Sequence, residues 1–193
     1  PRRRLREPCS CLVILANRSR LSPVNFQDTQ LIGVLARAES TVSSLSSLLG
    51  GLVEKFAARG YSLYLVGGSV RDALLGRLGN DLDFTTPARP EVVKEILDEW
   101  AETVWDTGID FGTVSAAYKG QQIEITTFRS DSYDGQSRNP EVVYGDTLEG
   151  DLVRRDFKAN AMAIELLADA SFKFHDPLHG LQDIADRVLD TPD

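Results

Sequence analysis

Asp81 and Asp83 flank Leu82 in Asp81-Leu82-Asp83-Phe84-Thr85, a segment that reads as a strand. Side chains at i and i+2 of a strand share one face, so both carboxylates converge while Leu82 and Phe84 turn to the core. Two such groups side by side repel each other unless a cation lies between them. A hard oxygen site with few protein ligands suits Mg²⁺, which keeps waters and takes phosphate oxygens as further ligands. A D-x-D pair alone is most often a solvated strand edge; what raises this one is the glycine turn shortly before it.

Gly67-Gly68 closes the apolar run Tyr61 to Val66 and opens Ser69 to Gly76, which starts on a capping residue and ends in glycine like a short helix. Strand, glycine turn and helix form a phosphate cradle, because unpaired backbone N–H groups and the helix dipole favour an anion and a missing Cβ lets it approach. Taken alone, the Gly-Gly pair is an ordinary tight connection. Arg71, one turn into the helix, is placed to reach back to the same anion as a forked donor; its other reading is a salt bridge with Asp72. Glu124 lies between Ile123 and Ile125 and points away from them. If its strand neighbours that of Asp81, Glu124 completes a carboxylate triad of the kind two-metal phosphoryl transfer uses; otherwise it faces solvent. Arg154 and Arg155 follow Asp151 in a segment expected to be helical, so that one arginine meets a phosphate and the other a carboxylate.

The elements that must position these groups fall into an α+β pattern with a mixed sheet. Leu48, Leu49, Leu52, Val53 and Phe56 recur at helical spacing and predict a helix over about 45–59. Strands are expected at Tyr61–Val66, Asp81–Thr85, Gly112–Tyr118, Gln122–Phe128 and Ala163–Leu167, with a hairpin at Lys119-Gly120-Gln121. Helices are expected from Pro90 to about Trp100, from Thr147 to Met162 and from Gly180 to Arg187. Ser130 to Asn139, followed by Pro140, reads as a polar loop. His175 and His179 have metal-binding spacing, but Pro177 between them breaks a helix and leaves two loop histidines.

Composition narrows the class. The chain has 193 residues, 42% hydrophobic and 26% charged, with Gly 15 and Pro 8, which fits one globular domain plus a short extra segment and excludes disordered, collagen-like and disulfide-scaffold classes. Its net charge of −8 excludes a chain-wide basic field for gripping nucleic acid. Cys9 and Cys11 are too few for a structural zinc site and read as incidental. The basic opening Pro1 to Arg6 before Leu12 to Ala16 mimics a signal peptide, but the apolar stretch is too short for one, and no segment is long enough to span a membrane. A cytoplasmic location is the resulting expectation. Residues 1–47 read as a poorly ordered leader, and a start at Pro1 with a stop at Thr191-Pro192-Asp193 reads as a fragment.

Leu65 to Gly76, then Asp81 to Thr85, then Thr126-Thr127-Phe128-Arg129, then Arg154-Arg155-Asp156-Phe157 with Asn160-Ala161-Met162, resemble the bacterial tRNA nucleotidyltransferase/poly(A) polymerase family over residues 48–193. The resemblance implies a polymerase-β-like nucleotidyltransferase head, a mixed sheet backed by helices, with neck, body and tail domains absent from this chain. It implies that Asp81 and Asp83 bind Mg²⁺, that Gly68 and Arg71 contact the incoming nucleotide, and that Arg155 reaches its phosphates. It implies CTP and ATP as substrates and the 3′ end of tRNA, or of another RNA, as acceptor, with CCA addition as the reaction. Poly(A) synthesis uses the same head. Nucleotide transfer to a small molecule or protein, and a non-catalytic nucleotide-binding module, remain as alternatives. Lys158 stands where the family usually has threonine, and the family's base-reading Glu-Asp-x-x-Arg helix has no counterpart up to Asp193.

Overall fold

The computed structural model describes residues 26–130 and 143–192. Cys9, Cys11, the basic opening and most of the expected polar loop with Pro140 lie outside the described residues. No described helix is long and apolar enough to cross a membrane.

The chain forms one seven-stranded mixed sheet, in the order β3-β4-β5-β2-β1-β8-β9, backed on one face by helices. Its strands are β1 (Leu63–Val66), β2 (Asp81–Thr86), β3 (Thr103–Trp105), β4 (Thr113–Tyr118), β5 (Gln121–Thr127), β8 (Ala163–Leu166) and β9 (Phe172–His175). A separate short pair, β6 (Arg129–Ser130) and β7 (Val143–Tyr144), follows β5. The helices are α1 (Phe26–Ala58), α2 (Gly67–Leu74), α3 (Pro90–Asp98), α4 (Leu148–Val153) and α5 (Gly180–Asp186). Only β2 and β5 pair in parallel; every other neighbour in the sheet is antiparallel. The class is the α+β mixed sheet the sequence predicts.

Alternation on β2 and β5 explains how one sheet serves both core and site. Leu82 and Phe84 on β2, and Ile123 and Ile125 on β5, are buried against Leu49, Leu52, Phe56, Val93, Ile96 and Leu97 from α1 and α3. The intervening residues therefore emerge on the face that the helices leave open. A two-residue turn, Lys119 (φ 48°) and Gly120 (φ 78°), joins β4 to β5, both residues in the left-handed region that such a hairpin requires.

Four expectations need correction. The first helix does not begin near residue 45, and residues 26–47 are not a poorly ordered leader: α1 starts at Phe26 and crosses position 47 unbroken. Val34, Ala38, Val42 and Leu45 continue its buried stripe into the same core. Hydroxyl side chains of this stretch are absorbed by back-bonding, Thr41 Oγ1 donating to the Arg37 carbonyl (2.9 Å) and Ser44 Oγ to that of Ser40 (3.1 Å).

The helix expected over 147–162 stops at Val153. Asp156 Oδ1 accepts both the Phe157 N–H and the Asn160 side-chain amide at 2.9 Å, a local alternative to helical bonding, and a 3-10 turn over Lys158–Asn160 leads into β8. Ser69 is not a helix cap, because α2 already begins at Gly67. His175 is not in a loop: it lies on β9, an element the sequence pattern missed, 3.5 Å from Glu165, whereas His179 precedes α5.

Candidate active site

Gly67 makes the first turn of the site possible. Its φ of +64° lies in the left-handed region, and a Cβ there would sit 3.0 Å from Arg155 Nη1 and 3.8 Å from Asp83 Oδ2. The glycine thus lets a cation and an anion from distant segments approach the end of β1. Ser69, buried in α2, accepts the Asp83 N–H (3.0 Å) and donates to the Asp81 carbonyl (3.4 Å). This hydroxyl fastens the strand bearing the two aspartates to the helix that follows the glycines.

Across the parallel ladder Asp83 is the register partner of Glu124, so the two carboxylates emerge side by side. Burial, then the Glu124 charge, push the Asp83 carboxyl above its ordinary range; Arg155 opposes this and Asp81 adds to it. The structure therefore selects the adjacent-strand alternative for Glu124 and brings Asp81, Asp83 and Glu124 to one open face.

Asp83 and Glu124 line a cleft of about 270 Å³, together with Thr126, Arg129, Asp151 and Arg155. Asp81 lies outside that lining, one pleat along β2. Among the described residues no group of three or more His, Cys, Asp or Glu side chains is already gathered to hold a metal. Asp83 and Glu124 nevertheless offer the hard oxygen donors, in a position where negative charge is held at a cost, that a divalent cation bridging to phosphate oxygens requires.

The basic side chains of the cleft depend on Asp151, to which the sequence reading gave no role. Asp151, 3% exposed, accepts the Arg129 backbone N–H (3.1 Å) on Oδ1 and Arg155 Nη2 (3.0 Å) on Oδ2, with Arg154 Nε 3.6 Å from Oδ1. Where the sequence expects one of the two arginines to meet a carboxylate, both Arg154 and Arg155 lie beside Asp151. Their i+3 and i+4 spacing from Asp151 was the available signal. Arg129 also lines the cleft and donates through Nη2 to the Phe111 carbonyl and to Thr113 Oγ1. Burial, then the nearby Arg154 charge, lower its pKa.

Arg71 makes the salt bridge with Asp72 that was the second of its sequence readings. Its guanidinium folds back to the start of α2, within 3.3 Å of where a Gly68 Cβ would stand. It is also forked onto Asp72 at 3.0 and 3.1 Å, and Nη1 donates to Asn160 Oδ1 (3.0 Å). Neither Gly68 nor Arg71 lines the cleft that holds Asp83 and Arg155.

Residues 63–190 match the family model described as the poly(A) polymerase head domain. A CCA-adding enzyme of Listeria innocua is 44% identical over 130 residues, which cover 67% of this chain and 31% of the relative. The structure of the Bacillus stearothermophilus CCA-adding enzyme in complex with CTP aligns with a TM-score of 0.62 at 37% identity, over 76% of this chain and 33% of that one. A tRNA nucleotidyltransferase complexed with a primer tRNA and an incoming ATP analogue aligns with a TM-score of 0.58 at 29% identity, over 74% of this chain and 39% of that one. The chain spans about a third of the length of the relatives it matches.

Proposed function

Because the chain belongs to the poly(A) polymerase head-domain family, we propose that it is the catalytic head of a template-independent nucleotidyltransferase that adds CMP and AMP from CTP and ATP to the 3′ end of tRNA. The observation that carries this reading is the cleft that Asp83 and Glu124 line together with Arg129 and Arg155. Carboxylates and arginines gathered in one cleft are what a metal-bound triphosphate needs. Residues 48–193 are assigned to this head, with Val34, Ala38, Val42 and Leu45 of α1 packed onto the same core.

In the proposed reaction the RNA 3′-hydroxyl gives up its proton to solvent and its oxygen bonds to the α-phosphorus while the bond from that phosphorus to the bridging oxygen breaks, and pyrophosphate leaves. Asp81, Asp83 and Glu124 would hold Mg²⁺, which supplies activation of the attacking hydroxyl and neutralisation of the triphosphate. Asp83 and Glu124 orient the reacting end of the nucleotide from the strand side. Arg155 meets the phosphate oxygens and offsets the charge that develops on the leaving group. The backbone of Gly67 and Gly68 leaves room for the phosphates to approach, and Arg71 braces the start of α2 behind them. The charged cleft is small beside an RNA, so acceptor binding is assigned to regions of the full-length protein outside this chain.

Incubation of the full-length gene product with labelled CTP, ATP and tRNA lacking its terminal CCA tests the proposal. Addition of C, C and A with release of pyrophosphate is expected. A homopolymeric A tail would instead favour a poly(A) polymerase, and absence of any transfer would favour a nucleotide-binding module.

A further inference from the structure

We propose that Asp151 is a positioning residue for triphosphate binding, acting through Arg155; the inference rests on the nucleotidyltransferase reading above. The guanidinium of Arg155 is divided in its duties. Nη2 is spent on Asp151 Oδ2 at 3.0 Å, while Nη1 is turned to the start of α2, 3.0 Å from the place a Gly67 Cβ would occupy, and Asp83 Oδ2 is 3.8 Å from that same place. A fork anchored through one nitrogen presents the other in a fixed direction. Both oxygens of Asp151 are used, since Oδ1 takes the Arg129 N–H and faces Arg154.

Charge gives the arrangement its consequence. Arg129, Arg154 and Arg155 all line the cleft, and Asp151 is the buried carboxylate among them. Without it the three cations lack their shared buried partner, and Asp83, whose carboxyl already feels the Arg155 charge, is left to attract that guanidinium. Asp151 therefore holds Arg155 away from the carboxylates assigned to the metal, so that a triphosphate can meet both. Its place in a capped helix holds it there, since Thr147 Oγ1 accepts the Gly150 N–H at 3.2 Å and so fixes the start of α4 just before Asp151.

The test is calorimetric titration of inorganic tripolyphosphate, and separately of CTP, with Mg²⁺ into the 193-residue chain as parent, Asp151→Asn, Arg155→Ala and the double variant. Asp151→Asn is expected to weaken tripolyphosphate binding by about tenfold, and the double variant to bind no more weakly than Arg155→Ala alone, because the two act in series. Losses that multiply in the double variant, or parent-like binding by Asp151→Asn, would overturn the inference and leave the nucleotidyltransferase reading standing. Failure of the parent to bind either probe would remove that reading and the inference with it. Should Asp151→Asn unfold, nuclear magnetic resonance of the parent decides: separate, slowly exchanging Arg155 Nη protons are expected, and a freely rotating guanidinium would overturn the inference.

Discussion

Asp83 on β2 and Glu124 on β5 stand opposite each other in the one parallel pairing of the sheet, their charges close enough that Glu124 helps push the Asp83 carboxyl above its ordinary range. Such a pair costs stability as long as both groups are ionised and nothing cationic lies between them. The adjoining hydrophobic register, Leu82 beside Ile123 and Phe84 beside Ile125, fixes the two strands so firmly that the carboxylates cannot separate. The core thereby holds in place an arrangement that is unfavourable by itself and useful for holding a divalent cation.

Asp83→Asn should therefore raise the melting temperature of the metal-free chain at neutral pH while reducing nucleotide addition by the full-length protein about a hundredfold or more. With its pKa raised in the fold, Asp83 keeps a proton that the unfolded chain has released, so its contribution falls as pH rises from the unfolded carboxylate range through the raised value. The gap between variant and parent should accordingly close as pH falls below that window. Melts across pH without divalent ions check the first claim, and a variant that melts below the parent at neutral pH would contradict it.

Glu124→Gln should reduce nucleotide addition by about tenfold or more if its carboxylate shares a divalent cation with Asp83. The same change should bring the Asp83 carboxyl closer to its ordinary range, because one of the two negative neighbours is gone. Steady-state turnover, together with titration of Asp83 by magnetic resonance, measures both. Parent-like turnover would return Glu124 to an ordinary strand surface.

Arg155→Ala should cost about 2 kcal/mol in binding of CTP and of ATP alike, since one charge-assisted contact to phosphate is removed and no base is touched. Arg71→Ala should cost less, because its guanidinium is already committed to Asp72 and Asn160 and lies outside the cleft. Titration of both nucleotides against both variants compares them. A loss confined to one nucleotide would place the arginine in base recognition.

What could be read in advance was what depends on local spacing. The common face of Asp81 and Asp83 follows from strand alternation, and the Gly67-Gly68 turn announces itself between an apolar run and a helix. The pairing of Asp83 with Glu124 needed the parallel contact between β2 and β5, which no local pattern contains. The first half of α1 was hidden because its buried positions, Val34, Ala38 and Val42, are spaced through serines and threonines that solve their hydrogen bonding within the helix. The role of Asp151 was not legible because a carboxylate followed by arginines at i+3 and i+4 describes countless surface helices; only its 3% exposure separates it from them.

Gly180→Ala should destabilise the fold by about 3 kcal/mol or more, as severe overpacking against backbone does. A Cβ there would meet the Lys158 carbonyl oxygen at 2.1 Å, and Asp176 already pins the turn by accepting the Gly180 N–H (2.7 Å) and the Leu181 N–H (3.0 Å). The segment against Gly180 carries Asn160, which holds Arg71, so the same change should also loosen the start of α2. Urea unfolding measures the first effect, and an unchanged midpoint would show that α5 yields to the methyl group.

The chain should bind CTP, ATP, GTP and UTP with similar, Mg²⁺-dependent affinity. The charged side chains that line the cleft are Asp83, Glu124, Arg129, Asp151, Arg154, Arg155 and Asp156, and those the proposal assigns to substrate meet phosphate or its metal, while none is assigned to a base. Affinity then comes from the triphosphate, which all four nucleotides share. With a net charge of −8 the same chain should hold tRNA only weakly, and the more weakly as salt rises. Titration of the four nucleotides with and without Mg²⁺, beside a tRNA gel shift, tests both expectations. A tenfold preference for CTP over UTP, about 1.4 kcal/mol, would require a group in this chain that distinguishes the two pyrimidine edges, and the assignment of the cleft to phosphate alone would fail.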